Sequence, residues 1–148
     1  MKKKSPILIL LFALILSPSS KVNAQTDASW QPIYLLVTGH NVMDGVEAFF
    51  QVNACNNEDI IYIKYINHNE YDVKLEWFDA VFTQELKWIN KDQAADKKSL
   101  LLPSKKEVNG KCSSNLYPEL SIKIKVFVAD KNDFKRYSAS QLHVNSVQ

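Results

Sequence analysis

Apolar side chains recur at every second position along much of this chain, and this period of two is the feature that most restricts its fold. The clearest segment spans residues 120–129, where Ser121, Lys123 and Lys125 alternate with apolar neighbours. Because successive side chains of a strand point to opposite faces, this segment predicts a half-exposed antiparallel strand. Residues 71–77 alternate in the same way and predict a half-buried strand that ends at an inward-facing tryptophan.

Turn signals separate about seven to nine short segments of this kind. Asp44-Gly45 and Asn109-Gly110 favour tight hairpin turns, and residues 67–70 predict a polar hairpin loop. No helices are placed to connect parallel strands. We therefore predict an all-β protein, a single immunoglobulin-like antiparallel β-sandwich of about seven to nine short strands. For residues 83–98 we favour a short strand followed by a loop, and a helix capped by Thr83 is the alternative.

The first 24 residues have the three parts of a secretory signal peptide. Three lysines precede an unbroken apolar run over residues 7–16, and Ala24 ends a site of small residues. The apolar run is too short to cross a bilayer, so we expect no membrane span. We expect cleavage after Ala24, a mature domain over residues 25–148, and export to the periplasm or the extracellular medium.

Loss of this segment would change the charge of the protein. The whole chain carries a net charge of +2, but four of its lysines lie before residue 25. A mature domain slightly richer in acidic than in basic residues lacks the electrostatic footprint of a nucleic-acid-binding protein. The chain also has only 3 glycines, too few for a phosphate-binding loop, so a nucleotide-dependent enzyme is not expected.

The two cysteines, Cys55 and Cys112, predict one disulfide in a secreted chain. Closing so long a loop would stabilise the fold by about 4 kcal/mol at most. A metal site would need more ligands than two distant cysteines. Trp77 lies too far from Cys55 to match the tryptophan of an antibody domain, so we expect the bridge to connect sheet ends and not to cross the core.

A loose set of motifs includes the two cysteines. The run CNNEDIIYIKYINHN over residues 55–69 is followed by VKLEW over residues 73–77 and by GKC over residues 110–112. Together these segments resemble small exported proteins of the Bacteroidota that have no assigned activity. The match covers about half of the mature chain. The resemblance implies export and a strand-rich domain, and it carries over no catalytic residue.

The histidines, His40, His68 and His143, lie in different segments without the spacing of metal ligands, so we expect no metal site. Residues 130–133 begin like a calcium-binding loop. However, Lys135 stands where that loop needs a glycine, and its final glutamate is also missing, so we predict a turn.

Asp72, Glu76 and Asp79 could supply the paired carboxylates of a small hydrolase. Asp72 and Glu76 share a strand face with Lys74 between them, which is more typical of a solvated surface. No serine-nucleophile motif is present. We therefore expect no catalytic residue, no cofactor and no enzymatic activity.

Four aromatic residues fall on the strand faces opposite to those that fill the predicted core: Phe49, Tyr65, Phe78 and Phe127. If they gather, they form an exposed apolar patch that would bind a partner. The alternative is that a second sheet or a loop covers them.

These observations predict a non-enzymatic, exported binding domain for a protein or cell-envelope partner of unknown identity. The alternative is a carbohydrate-binding domain that stacks a sugar on Trp30, Trp88 or a surface tyrosine, and a small hydrolase is less favoured.

Overall fold

The computed structural model describes residues 29–35 and 39–147, and the predicted signal peptide lies outside these ranges. Ten strands form two antiparallel sheets there, and the helical segments are 3₁₀ turns. The prediction of an all-β, antiparallel protein is confirmed. The strands are β1 (Gln31–Pro32), β2 (Val42–Met43), β3 (Val46–Cys55), β4 (Glu58–Asn67), β5 (Val73–Thr83), β6 (Trp88–Asn90), β7 (Lys98–Leu102), β8 (Glu107–Asn109), β9 (Ser121–Lys123) and β10 (Phe134–Ser146).

Six strands form the first sheet, sheet A, which is built on the hairpin of β3 and β4. These two strands pair from Val46 opposite Asn67 to Cys55 opposite Glu58. β1 and β2 pair with the outer edge of β3, and β8 and β9 lie one after the other along β4. The turn before β3 has φ angles of 47° at Asp44 and 75° at Gly45, as its sequence predicts.

Four strands form the second sheet, sheet B, with β5 at its centre. β10 pairs with one edge of β5, and β6 and β7 pair with the other. β6 followed by a 3₁₀ turn at Ala94–Asp96 confirms the strand-and-loop interpretation of residues 83–98.

The inner faces of the two sheets share one hydrophobic core. The Trp77 side chain of sheet B is 0% exposed, and its ring centroid lies 5.3 Å from that of Tyr65 in sheet A. Phe50 and Tyr137 meet across the same interface at 6.3 Å. Burial of each large apolar side chain stabilises the fold by about 1.5–3 kcal/mol, so this interface holds the sheets together.

The prediction for residues 120–129 was wrong beyond Lys123. β9 ends there, Ile124–Val126 form a 3₁₀ turn, and the Val126 side chain is 50% exposed. The reason lies in the neighbouring strand. Lys123 pairs with Ile60, and β4 begins only two residues earlier, so a longer β9 would have no partner. Alternation of apolar residues predicts the two faces of a strand, but a strand also needs a neighbouring strand for its backbone hydrogen bonds.

The loop at residues 67–70 is not a hairpin, because β4 and β5 belong to different sheets. The buried Asn67 side-chain amide lies 2.9, 3.2 and 3.1 Å from the carbonyl oxygens of Tyr71, Leu102 and Pro103. Its side-chain oxygen accepts a hydrogen bond from the Asn69 N–H. These hydrogen bonds fix the path of the chain from one sheet to the other. No turn motif in the sequence predicts them.

A buried polar cluster lies between the sheets, at the carboxylate of Asp79. This carboxylate accepts hydrogen bonds from the Tyr137 hydroxyl at 2.6 Å and the Trp77 indole N–H at 3.2 Å. The Lys98 ammonium lies 2.7 Å away. Burial and the Asp79 charge raise the pKa of Tyr137 well above its usual value, so its hydroxyl stays a donor. The cluster ties β5 to β7 and β10.

We predict that Asp79→Ala lowers the free energy of unfolding by about 3–5 kcal/mol, because it leaves the buried partners of the carboxylate unpaired. Asp79→Asn keeps an oxygen acceptor and should cost clearly less. Urea unfolding of both variants measures this difference. A loss below about 1 kcal/mol in Asp79→Ala would show that the cluster does not stabilise the fold.

Candidate functional site

The four aromatic residues predicted to form an interaction surface do not lie together. Phe49 is on the outer face of sheet A, and Phe78 is on the outer face of sheet B. Tyr65 is 0% exposed and belongs to the core. Phe127 is partly buried against the core, just after the 3₁₀ turn. The structure thus offers no common surface formed by these four side chains.

The prediction for Tyr65 was wrong because apolar residues stand on both faces of β4, and within residues 60–66 only Lys64 marks the outer face. In the structure Tyr65 lies opposite Ala48 on β3 and opposite Val108 on β8. Their short side chains leave room for the tyrosine ring to reach Trp77. Ile66, which the alternation placed inside, lies opposite Glu47 on the outer face and is partly exposed.

Trp88, one of the predicted sugar platforms, lies on the outer face of sheet B. Its ring centroid is 4.9 Å from that of Phe82, and the Arg136 guanidinium lies 5.4 Å from it and 4.8 Å from the Phe82 centroid. The three residues form a row across β6, β5 and β10. Cation–π contacts of this kind stabilise a sheet face.

The candidate catalytic carboxylates are separated as well. Asp79 faces the core, whereas Glu76 is on the outer face, 3.1 Å from Lys74 and 3.2 Å from Lys97. Asp72 accepts a hydrogen bond from the Ser104 backbone N–H. In the described ranges no three or more His, Cys, Asp or Glu residues are grouped so that they could hold a metal ion.

The residues compared with a calcium loop form a turn. Lys131–Asp133 is a 3₁₀ turn, and the Asp130 side chain accepts a hydrogen bond from the Asn132 backbone N–H at 2.8 Å. A side chain that caps its own backbone explains the acidic residue here without an ion. The turn prediction is confirmed.

A cleft of about 260 Å³ lies on the outer face of sheet A, and we call it the outer cleft. β3 and β4 provide its floor, the chain around β8 provides one wall, and the segment before β1 provides the other. The lining residues are Trp30, Gln51, Asn53, Ala54, Tyr62, Asn109, Gly110, Lys111 and Cys112. Lys111 is the one residue among them with a charged side chain. The lining is therefore mostly neutral and polar.

The wall beside β8 is held in place by the two cysteines. Cys55, at the end of β3, and Cys112 lie at disulfide distance with Cα atoms 5.5 Å apart. This pairing agrees with the sequence-based prediction of a bridge at the end of a sheet. It ties the segment after β8 to the far end of β3, so that the segment borders the outer cleft.

Gly110 allows this segment to leave and rejoin sheet A. Its N–H donates to the Ile63 carbonyl at 2.9 Å, so the chain continues along β4 and does not make the predicted hairpin turn. A side chain at Gly110 would collide with the Leu120 carbonyl just before β9. We call residues 110–120, which connect β8 to β9, the excursion. Only glycine at its first position lets its two ends approach this closely.

Trp30, on the opposite wall, is positioned by Lys64. The Lys64 ammonium lies 4.8 Å from the Trp30 ring centroid and 5.0 Å from that of Phe49, and 3.9 Å from a Glu107 carboxylate oxygen. Only 14% of the Lys64 side chain is exposed. An ammonium largely removed from water between two rings orients the indole beside the cleft. Trp30 itself is partly exposed.

Tyr62 on the floor has the most unusual environment. Its side chain is 3% exposed, and its hydroxyl has no hydrogen-bond partner among the described residues. Burial raises the pKa of Tyr62, so the hydroxyl keeps its proton and remains a donor. A buried hydroxyl without a partner costs about 1–3 kcal/mol. Ser121, directly opposite on β9, has an unpartnered buried hydroxyl too.

Sequence reasoning identified Trp30 and Cys112 but missed the floor of the cleft. Gln51 and Asn53 interrupt the apolar character of β3 on its outer face, and this was a usable signal. Tyr62 gave none, because it lies within a run of apolar residues. The excursion that covers it begins forty-eight positions later in the chain, at Gly110.

A larger cavity of about 530 Å³ opens at the end of the sheets, with Phe50, Val52 and Phe134 among its lining residues. Its lining has three charged residues, of which Asp59 and Lys131 lie 3.2 Å apart and pair with each other, and Lys135 is the third. The outer cleft differs because Lys111 is the one charged side chain in its lining.

Comparisons with protein-family models, with curated proteins and with solved structures found no match to this chain. No helix in the part that the structure describes is long and apolar enough to cross a membrane. A function is therefore proposed from the geometry of the outer cleft.

We predict that Tyr62→Phe leaves the free energy of unfolding unchanged or raises it, because it removes a hydroxyl that has no partner. Tyr137→Phe is the matched control. It removes a hydroxyl bonded to a carboxylate and should cost about 1.5–3 kcal/mol. Chemical denaturation measures both values. An equal loss in the two variants would mean that Tyr62 has a partner within the folded protein.

Proposed function

We propose that the protein is an exported, non-enzymatic binding domain with an immunoglobulin-like β-sandwich, and that the outer cleft is its ligand site. The observation that carries this proposal is the Tyr62 hydroxyl, which is buried and unpartnered on the floor of a cleft. Buried polar groups are nearly always hydrogen-bonded in folded proteins, and we take the missing partner of this hydroxyl to be a ligand because the group lies beside a cleft.

The chemistry of the lining favours binding over catalysis. Amide side chains and a protonated phenol donate and accept hydrogen bonds but do not exchange protons near neutral pH. Lys111 is exposed and has no acidic residue beside it among those lining the cleft. Lysine and tyrosine can take part in catalysis, but no carboxylate, histidine or free thiol stands beside Lys111 and Tyr62 in the lining to activate them.

The shape of the site favours a small ligand, or the end of a chain, over a broad protein surface. Ligand pockets measure about 300–1,000 Å³, and the outer cleft, at about 260 Å³, is just below this range. The aromatic patch that would have favoured a protein partner is not assembled. Export is supported by the signal-peptide pattern, by the cysteine pair and by the resemblance to exported proteins of the Bacteroidota.

We predict that the outer cleft binds a small polar molecule. The test is NMR titration of the ¹⁵N-labelled, disulfide-intact protein with a defined panel of neutral monosaccharides, uronic acids, amino acids and neutral dipeptides. At least one class should shift the side-chain amide signals of Gln51, Asn53 and Asn109. The amides of Asn90 and Asn145 on sheet B serve as the internal control. If no panel member shifts the cleft signals, the proposed function is wrong.

A further inference from the structure

We propose that the ligand of the outer cleft is a neutral saccharide, bound one ring at a time, with Trp30 against its apolar face and the cleft amides and Tyr62 on its hydroxyl groups. This inference rests on the proposed function of the same cleft and names its ligand class. It follows from the charge, the hydrogen-bonding capacity and the aromatic wall of the site.

The charges around the cleft favour a neutral ligand. An anionic ligand would need cations, but the Lys64 ammonium already lies against Trp30, Phe49 and Glu107. Lys111 alone remains, and it is exposed to solvent, where a single ion pair contributes little. A cationic ligand is disfavoured because no carboxylate lines the cleft and the Lys64 ammonium already lies against the Trp30 ring.

The hydrogen-bonding groups match hydroxyl groups. Gln51, Asn53 and Asn109 each carry a donor and an acceptor, and the structure gives their side chains no hydrogen bond to other described residues. A hydroxyl group both donates and accepts, so a carboxamide can pair with two neighbouring hydroxyls at once. The Tyr62 hydroxyl is buried beneath these groups, and a ligand that displaces the covering side chains gains a further donor from the floor.

The aromatic wall matches the other side of a sugar ring. A pyranose has a face of C–H groups as well as an edge of hydroxyls, so it needs an apolar surface beside polar groups. Trp30 provides that surface, and the Lys64 contact orients its ring before a ligand arrives. A site arranged in advance loses less entropy on binding. At about 260 Å³, the cleft suits a single ring better than a longer segment.

The inference is tested by titrating the intact protein with methyl glycosides of glucose, galactose, mannose and N-acetylglucosamine. Glucuronic acid and glycylglycine are included as charged and peptide-like probes. We expect one or more neutral glycosides to shift the Gln51, Asn53 and Trp30 signals. Tyr62→Phe should weaken binding about three- to tenfold, as expected for one lost hydrogen bond. Trp30→Ala should abolish it.

Two variants are matched controls for these substitutions. Tyr71→Phe alters an exposed tyrosine away from the cleft, and Trp88→Ala alters the tryptophan on sheet B, so both should bind the glycoside with unchanged affinity. A thermal melt of each variant shows whether it is folded.

The outcomes separate this inference from the proposed function. If glycylglycine or glucuronic acid shifts the cleft signals while no neutral glycoside does, the saccharide inference is wrong and the binding site stands. Glycoside binding that is unchanged in Tyr62→Phe and Trp30→Ala would place the site elsewhere and overturn the inference. If no probe shifts the cleft signals, both proposals fail.

Discussion

Within the apolar core, the Asp79 carboxylate lies 2.7 Å from the Lys98 ammonium and 2.6 Å from the Tyr137 hydroxyl. A buried charge is tolerated only with partners in good geometry, so this one side chain constrains β5, β7 and β10 together. The constraint extends into sheet A, because Lys98 also donates to the Glu119 carbonyl at 2.7 Å. Glu119 closes the excursion that forms one wall of the outer cleft. The core charge and this wall of the outer cleft are thus joined by one lysine.

That excursion is held at both ends by different means. The cysteine pair attaches its beginning to β3, and the Lys98 contact attaches its end to sheet B. Between these points, Gly110 and Leu120 approach so closely that β8 and β9 follow each other along β4. A wall fixed in this way keeps its position relative to the floor without a ligand, which is what a preorganised binding site requires.

The sequence predicted the buried face where charged residues alternate along a paired strand, and it failed where apolar residues occupy both faces or where the backbone has no neighbouring strand. Val73, Leu75 and Trp77 alternate with charged residues, and the structure buries all three. Apolar residues stand on both faces of β4, and within residues 60–66 only Lys64 marks the outer face, so the pattern did not place Tyr65. The outer cleft could be predicted only in part. Tyr62 lies beside the excursion because β4 pairs with β8 and β9, which are distant from it in the sequence.

The two tyrosines of β4 are both buried, but they lie in different environments. Tyr65 and Tyr62 both have buried hydroxyls without a partner in the described part of the chain. The Tyr65 ring contacts Trp77 and fills the interface between the sheets. This apolar packing offsets the cost of its unpaired hydroxyl. Tyr62 faces away from that interface, towards side chains that are themselves polar. Its hydroxyl has no contact between the sheets to offset it, and the proposed ligand of the outer cleft would supply the missing partner.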